Sequence, residues 1–230
     1  MVNMKPIVLM TDSKLYKDER VEIIHLPFIG VEPLPVQPTR QHYDWLIFTS
    51  KNAVEIFFKL YAHVTFDNIA AIGIKTKEHI EHYNHKVVFI PSKFNQESFI
   101  DEMDNIFCHS TVCLPISTEA RPKMYDALKS LADVDRIDLY RPVKIDENIN
   151  LALQLIETHQ VDWITFMSPS SVNAYGKQSK NHNLSFMAIG HVTSSALNQL
   201  NIEHYVSQIE TKKSMIDTIL NIENNRKGGL

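Results

Sequence analysis

Apolar residues recur along the chain in two alternating rhythms. The unbroken run Trp45 to Phe48 suits a strand buried on both faces. A polar turn follows, Thr49-Ser50-Lys51-Asn52. Ala53, Val54, Phe57, Phe58 and Tyr61 then recur at helical spacing, with Ser50 or Asn52 as the natural N-cap. The pattern next predicts a strand over Ile69–Ile72 ending at Gly73, a short helix opened by Thr76, and a strand over Val87–Ile90 stopped by Pro91. Later the series returns: a strand over Trp163–Phe166, a helix from about Ser170, a strand over Phe186–Ile189 and a helix from about Thr193. Ile7–Met10 reads as an N-terminal strand, whereas Leu15–Arg20 has little apolar periodicity, so a shortened first helix is expected. Strands alternating with helices predict an α/β architecture with parallel sheets.

The two series are copies of one another. Asp44-Trp-Leu-Ile-Phe-Thr-Ser50 matches Asp162-Trp-Ile-Thr-Phe-Met-Ser168, and the same offset carries Val54 onto Val172. One residue out of step, Ala71-Ile72-Gly73-x-x-Thr76 matches Ala188-Ile189-Gly190-x-x-Thr193. The chain has six glycines, two of them at its very end, so two of the other four falling at equivalent places argues for duplication of a half-protein. Solenoid repeats are far shorter.

Four of the ten prolines, Pro27, Pro33, Pro35 and Pro38, stiffen one stretch, and Asp138-Leu-Tyr-Arg-Pro-Val143 is a second extended one. Two such linkers, placed at 31–35 and 141–144, divide the chain into a central lobe over 36–140 and a discontinuous lobe made of 1–30 and 145–230. The N-terminal strand would then pair with strands from the far end of the chain. Two tandem domains fit the same pattern. Paired linkers imply hinge motion and a cleft between lobes, where ligands commonly bind.

Composition narrows the function. The 230 residues are 44% hydrophobic and 22% charged, near the globular average. The net charge of −4 comes without a basic run, which makes nucleic acid a poor partner. No apolar run approaches the ~20 residues of a membrane span, and Met1–Met10 lacks a signal-peptide layout. The reading is a cytoplasmic protein with Cys108 and Cys113 reduced and buried as small apolar residues. Neither dinucleotide nor triphosphate glycine motifs occur, nor a hydrolase nucleophile elbow. His79, His82 and His85 run at spacing three, but no matching Cys or His cluster joins them, so they read as a polar helix face rather than a metal site.

The strand-to-helix turns are more informative. Thr49-Ser50, Gly73 to Thr76, Ser168-Pro-Ser170-Ser171 and Gly190 to Thr193 all lie where the carboxyl ends of parallel strands meet helix N-termini. Ligands of open α/β sheets bind there, and helix N-termini favour carboxylates and phosphates. Each Ser or Thr is otherwise simply an N-cap. Four equivalent turns point to a shared polyanion site: Thr49, Ser50, Gly73, Thr76, Ser168, Ser170, Gly190 and Thr193.

These blocks, with Tyr140-Arg141-Pro142, resemble the uroporphyrinogen-III synthase family in order and spacing over nearly the whole chain. The resemblance implies two flavodoxin-like lobes, one inserted in the other and joined by a two-stranded linker. It implies a cofactor-free, monomeric, cyclising hydro-lyase of tetrapyrrole and haem biosynthesis. Its substrate is hydroxymethylbilane, a linear tetrapyrrole bearing eight carboxylates. The product is uroporphyrinogen III, formed by ring closure with inversion of ring D and loss of water. In the family a linker tyrosine is the favoured acid for the departing hydroxyl, and Tyr140 matches it. With no obvious core to fill, its ring would face the cleft; packing between lobes is the alternative. Two departures stand out: Met10-Thr-Asp-Ser-Lys14 lacks the arginine often found after the first strand, and Met167 replaces the threonine seen at Thr49. A non-catalytic two-lobe binding protein for a small polyanion is the competing reading.

Overall fold

The structure is a computed structural model that describes residues 5–103, 105–176 and 184–228. Contacts divide the chain into two compact units, Met1–Gly30 with Val143–Leu230, and Val31–Pro142.

In the first unit, β1 (Ile7–Met10), β2 (Glu22–His25), β8 (Trp163–Phe166), β9 (Ser185–Ala188) and β10 (Tyr205–Val206) form a sheet in the order β10-β9-β8-β1-β2, paired in parallel throughout. Taken in chain order this is the flavodoxin-like arrangement, with its switch point between β1 and β8. The second sheet has β3 (Ile29–Pro33), β4 (His42–Phe48), β5 (Thr65–Ala71), β6 (Thr111–Ser117) and β7 (Asp133–Lys144), in the order β3-β7-β6-β4-β5. β4 and β6 are parallel neighbours in the place that β8 and β1 take in the first unit. The expected strand over Val87–Ile90 shrinks to one bridge, Phe89 with Ala70 on β5, where the other copy has β10. β3 and β7 each cross the division, so the stretches read as linkers at 31–35 and 141–144 fall largely in strands. No helix forms over Leu15–Arg20.

Both faces of each sheet are buried, as parallel sheets require. In the first unit Leu9, Ile164 and Phe166 pack with α5 (Asp146–Glu157), α6 (Pro169–Tyr175) and α7 (His191–Gln199). Val8, Met10 and Trp163 face the other way, onto Met215, Ile216 and Ile219 of α8 (Lys212–Gly228). In the second unit Leu46, Phe48, Cys113 and Leu139 pack with α1 (Lys51–Leu60) and α2 (Ile74–Glu81), while Trp45, Ile47, Val112 and Leu114 pack with α3 (Gln96–Glu102) and α4 (Lys123–Lys129). Burial pushes the Cys113 thiol far up in pKa and keeps it unreactive. Cys108 departs from expectation: it is only half-buried, and its thiol donates to Asn105 Oδ1 at 3.4 Å.

The repeated Asp-Trp pair has a structural reason. Asp162 Oδ2 accepts from the Ile7 backbone N at 2.8 Å, and the Asp162 backbone N donates back to the Ile7 carbonyl at 3.0 Å. Asp44 Oδ2 accepts from the Thr111 backbone N at 2.6 Å and from the Thr111 hydroxyl at 2.8 Å. Ile7 and Thr111 open β1 and β6, so each aspartate clamps the start of the strand across the switch point. The tryptophan beside it packs the adjoining face.

The Thr111 bonds hold the Asp44 carboxyl below the usual carboxylate pKa. Asp44→Ala is expected to lose about 1–2 kcal/mol in urea unfolding at pH 7. A carboxylate with a lowered folded-state pKa stabilises above its unfolded value, near pH 4, and the gain fades as pH falls through the folded value. The gap between the parent protein and Asp44→Ala should therefore close on acidification below about pH 4. Equal midpoints at pH 7 would remove the clamp.

Candidate functional site

The carboxyl ends of the strands gather the predicted residues, unit by unit. In the second unit Ser50 is the N-cap of α1, and its Oγ accepts from the Ala53 backbone N at 3.1 Å. The same oxygen lies 2.9 Å from the Tyr140 hydroxyl. One hydroxyl hydrogen is spent within that pair, and the other remains to be donated elsewhere, whichever way the bond points.

Tyr140 corrects the expectation of a ring with no core to fill. It is 7% exposed and packs with Phe48, Ile137 and Leu139. The cause is a register slip between Ile116 and Ser117, after which Ser117 pairs with Tyr140 rather than Leu139. Strand alternation would send Leu139 and Tyr140 to opposite faces; the irregularity leaves both in one core cluster. Only the phenol oxygen reaches the end of the sheet, beside Ser50.

Thr49 is half-buried beside Ser50 and lines a cavity with Ile72, Gln96 and Arg121. Gly73 is the N-cap of α2 and makes no side-chain cap bond; a Cβ there would meet Phe94 Cβ at an ordinary 3.8 Å. The helix opens at Ile74, so Thr76 lies in its first turn rather than at its start, and is buried.

The first unit repeats the pattern. Ser168 caps α6, its Oγ accepting from the Ser171 backbone N at 3.4 Å, while Ser170 is exposed in the first turn. Gly190 caps α7, which opens at His191, and Thr193 is buried one turn in. A Cβ on Gly190 would run into the side chain of Glu210, so a carboxylate of the protein already lies against this turn. Thr11 and Asp12 follow β1. Asp12 pairs with Lys212 at 2.6 Å, and Asp12 Oδ1 is buried without a partner. Sequence reasoning passed over Asp12, because its partner lies at the start of α8, far along the chain.

Charge placement separates these helices from α3, α4 and α5, though not from α8, which also starts without an acid. α1, α2, α6 and α7 have no acidic residue in their first turn. α3, α4 and α5 carry Glu97, Asp126, and Asp146 with Glu147. Acids at a helix start offset the partial positive charge of its free N–H groups. The turns of α1, α2 and α6 leave that charge open to an incoming anion, whereas at α7 the Glu210 carboxylate lies against the Gly190 turn.

His79 and His82 lie 6.4 Å apart by ring centroid, and the His82 ring nitrogen meets the Glu78 carbonyl at 2.6 Å. Among the described residues, the grouping whose ligand atoms lie within 4.8 Å of one another is instead His42, Asp44 and Asp67, at the amino ends of β4 and β5. Asp44 is already committed to Thr111 there, and His42 Nδ1 lies 2.9 Å from the Thr65 hydroxyl. None of the described helices is long and apolar enough to cross a membrane.

The family model for uroporphyrinogen-III synthase HemD matches residues 12–217. The porphyrin biosynthesis protein HemD of Ruminiclostridium josui is 26% identical over 220 residues, which cover 87% of this chain and 44% of that protein. The chain thus spans less than half the length of that relative. Among solved structures, uroporphyrinogen-III synthetase from Helicobacter pylori 26695 aligns with a TM-score of 0.66 and 17% identity, covering 95% of this chain and all 100% of that one. A mutant uroporphyrinogen III synthase from the extremely thermophilic bacterium Thermus thermophilus aligns with a TM-score of 0.55 and 17% identity, covering 96% and 99%. Both solved structures share the two-lobe α/β fold. A match running through both copies of the repeat places the chain in the uroporphyrinogen-III synthase family.

Proposed function

We propose that this chain cyclises hydroxymethylbilane to uroporphyrinogen III, inverting ring D and releasing water, as a monomeric cytoplasmic enzyme. Family membership supports the reaction. The observation that carries the reading is the set of three helix N-termini, those of α1, α2 and α6, left without acidic side chains at the carboxyl ends of the strands. Such ends bind carboxylates without a basic patch, which suits an octacarboxylate substrate and a chain of net charge −4. Free thiols at Cys108 and Cys113 accord with a reducing compartment.

The chemistry asks little of the protein. The pyrrole nitrogen lone pair expels the terminal hydroxyl and leaves an azafulvene. The substituted carbon of ring D attacks through a spiro intermediate, and rearrangement delivers the inverted ring. The chain must hold the substrate in that geometry and give a proton to the leaving hydroxyl. The Tyr140–Ser50 pair keeps one spare hydroxyl hydrogen for that task, on Tyr140 when Ser50 is the donor between them. Thr49, Gly73, Thr76, Ser168, Ser170, Gly190 and Thr193 shape the turns that receive carboxylates. Thr76 and Thr193 are themselves buried, which favours reception by free backbone N–H groups of the first turns.

Tyr140→Phe keeps the packed ring and removes the phenol from that pair. Type III formation should slow by about one to two orders of magnitude, the low end of general-acid catalysis. The symmetrical type I isomer, which forms unaided, should accumulate. Freshly supplied hydroxymethylbilane, oxidation and chromatographic separation of the isomers measure both. An unchanged rate and ratio in a folded variant would leave Tyr140 as packing; only type I with the parent protein would remove the synthase reading.

Ser170 is exposed in the first turn of α6, so Ser170→Glu supplies the missing acid without disturbing packing. Compensation of the helix end should raise stability by about 0.3–1 kcal/mol. The same energy, now opposing the substrate, should raise KM about two- to fivefold. A gain in melting temperature with KM unchanged would sink the anion role of this turn.

A further inference from the structure

The two sheets differ at their switch points. In the first unit the gap is closed. Pairing of β1 with β8 runs from Val8–Trp163 through Met10–Thr165. Beyond it the Thr11 hydroxyl donates to the Thr165 carbonyl at 2.8 Å, and the Thr165 hydroxyl donates to the Leu9 carbonyl at 3.2 Å. Met167, which matches Thr49, packs onto the core beneath. In the second unit the pairing of β4 with β6 stops at Leu46–Cys113. Two residues on stands Pro115, which has no N–H to donate. Beyond that stop lies a cavity of about 290 Å³.

The cavity has an apolar floor and a polar side. Leu114, Ile116 and Met124 supply the floor; Thr49, Gln96 and Arg121 supply the donors. Gln96 Nε2 is buried with no hydrogen-bond partner. An orphaned donor costs stability until something accepts from it, and the terminal torsion of a glutamine is soft enough to turn toward an arriving oxygen. Arg121 Nη1 lies 3.4 Å from Glu97 Oε1, and Lys123 Nζ lies 3.8 Å from the same oxygen. Two cations sharing one carboxylate leave a surplus of positive charge. Pockets for drug-sized ligands begin at about 300 Å³, so this volume suits one substituted ring rather than a whole tetrapyrrole.

We infer that this cavity seats one pyrrole ring of the substrate, with the ring on Leu114, Ile116 and Met124 and its acidic arms on Gln96 and Arg121. The inference rests on the synthase reading. Ser50 has extended backbone, φ −151° and ψ 157°, so consecutive side chains at Thr49 and Ser50 point to opposite sides. A ring beside Thr49 is therefore one residue step from the Ser50–Tyr140 pair. Seating that ring fixes where the rest of the chain meets the spare hydroxyl, which makes Gln96 and Arg121 substrate-positioning residues.

Gln96→Leu and Arg121→Leu test the assignment in the full chain. Each should raise KM for hydroxymethylbilane about five- to twentyfold with kcat little changed, the lower part of the range for bonds to charged groups because the site meets solvent. Gln96→Leu should melt at the same temperature or higher, since it removes an orphaned donor; a purely structural glutamine would lower it. Calorimetry with a monopyrrole carrying one acetate and one propionate arm gives a readout independent of turnover. Binding to the parent protein that both variants weaken supports the cavity. Unchanged KM and unchanged monopyrrole affinity in both folded variants would overturn the inference and leave the synthase reading standing. Exclusive type I product with the parent protein would overturn the synthase reading instead, and calorimetry would then decide the ring site alone.

Discussion

Each sheet is completed by a strand that the chain delivers from elsewhere, and a carboxylate holds that strand at its first residue. β1 reaches β8 across a sequence separation of 155 residues between Ile7 and Asp162. β6 reaches β4 across 67 between Thr111 and Asp44. Apolar runs buried on both faces look alike after a shift along the strand, so the apolar pattern alone does not set their register. A bond from the aspartate to the first backbone N–H fixes it, and so fixes which residues emerge at the carboxyl edge. Everything assigned to the reaction depends on that edge: Thr49 and Ser50 after β4, the cavity beside β6, and Tyr140 on the neighbouring β7.

Duplication has given two copies of one scaffold with different uses for the same position. The serine caps of α1 and α6 are equivalent, yet Ser50 also meets a phenol while Ser168 meets Ser171. Thr49 opens onto a cavity, whereas Met167 fills the corresponding space. The glycine caps diverge too, Gly73 having room and Gly190 lying against Glu210. A binding surface assembled from backbone N–H groups survives such divergence, because it does not depend on particular side chains.

Much of this was legible in the residues. Trp45–Phe48 reads as a buried strand because an unbroken apolar run has few other uses, and the repeat carries that reading to Trp163–Phe166 and locates the turns. β6 was not legible: Pro115 breaks the pattern of a central strand, and only the three-dimensional arrangement reveals that ladder pairing with β4 has ended before it. The strand expected over Val87–Ile90 is cut short to one bridge, although Val88 and Phe89 have suitable side chains. Val88 is 58% exposed at the sheet margin, and propensity is a poor guide there. The site was legible as a set of turns but not as a pairing. Nothing in Asp138-Leu-Tyr-Arg-Pro142 announces the register slip that brings Tyr140 to Ser50.

The delivery of β1 also sets an order of assembly on the ribosome. Synthesis proceeds from the N-terminus, and domains commonly fold as they emerge. The segment holding β1 and β2 is made first, yet its sheet cannot close until β8 and β9 have been made. By then every strand of the Val31–Pro142 unit has emerged, and that unit can already be packed. The β1–β2 pair, with the apolar run Ile7–Met10, waits without β8 while the Val31–Pro142 unit can fold. The period of greatest exposure to aggregation thus falls on β1 rather than on the strands made just before the sheet closes.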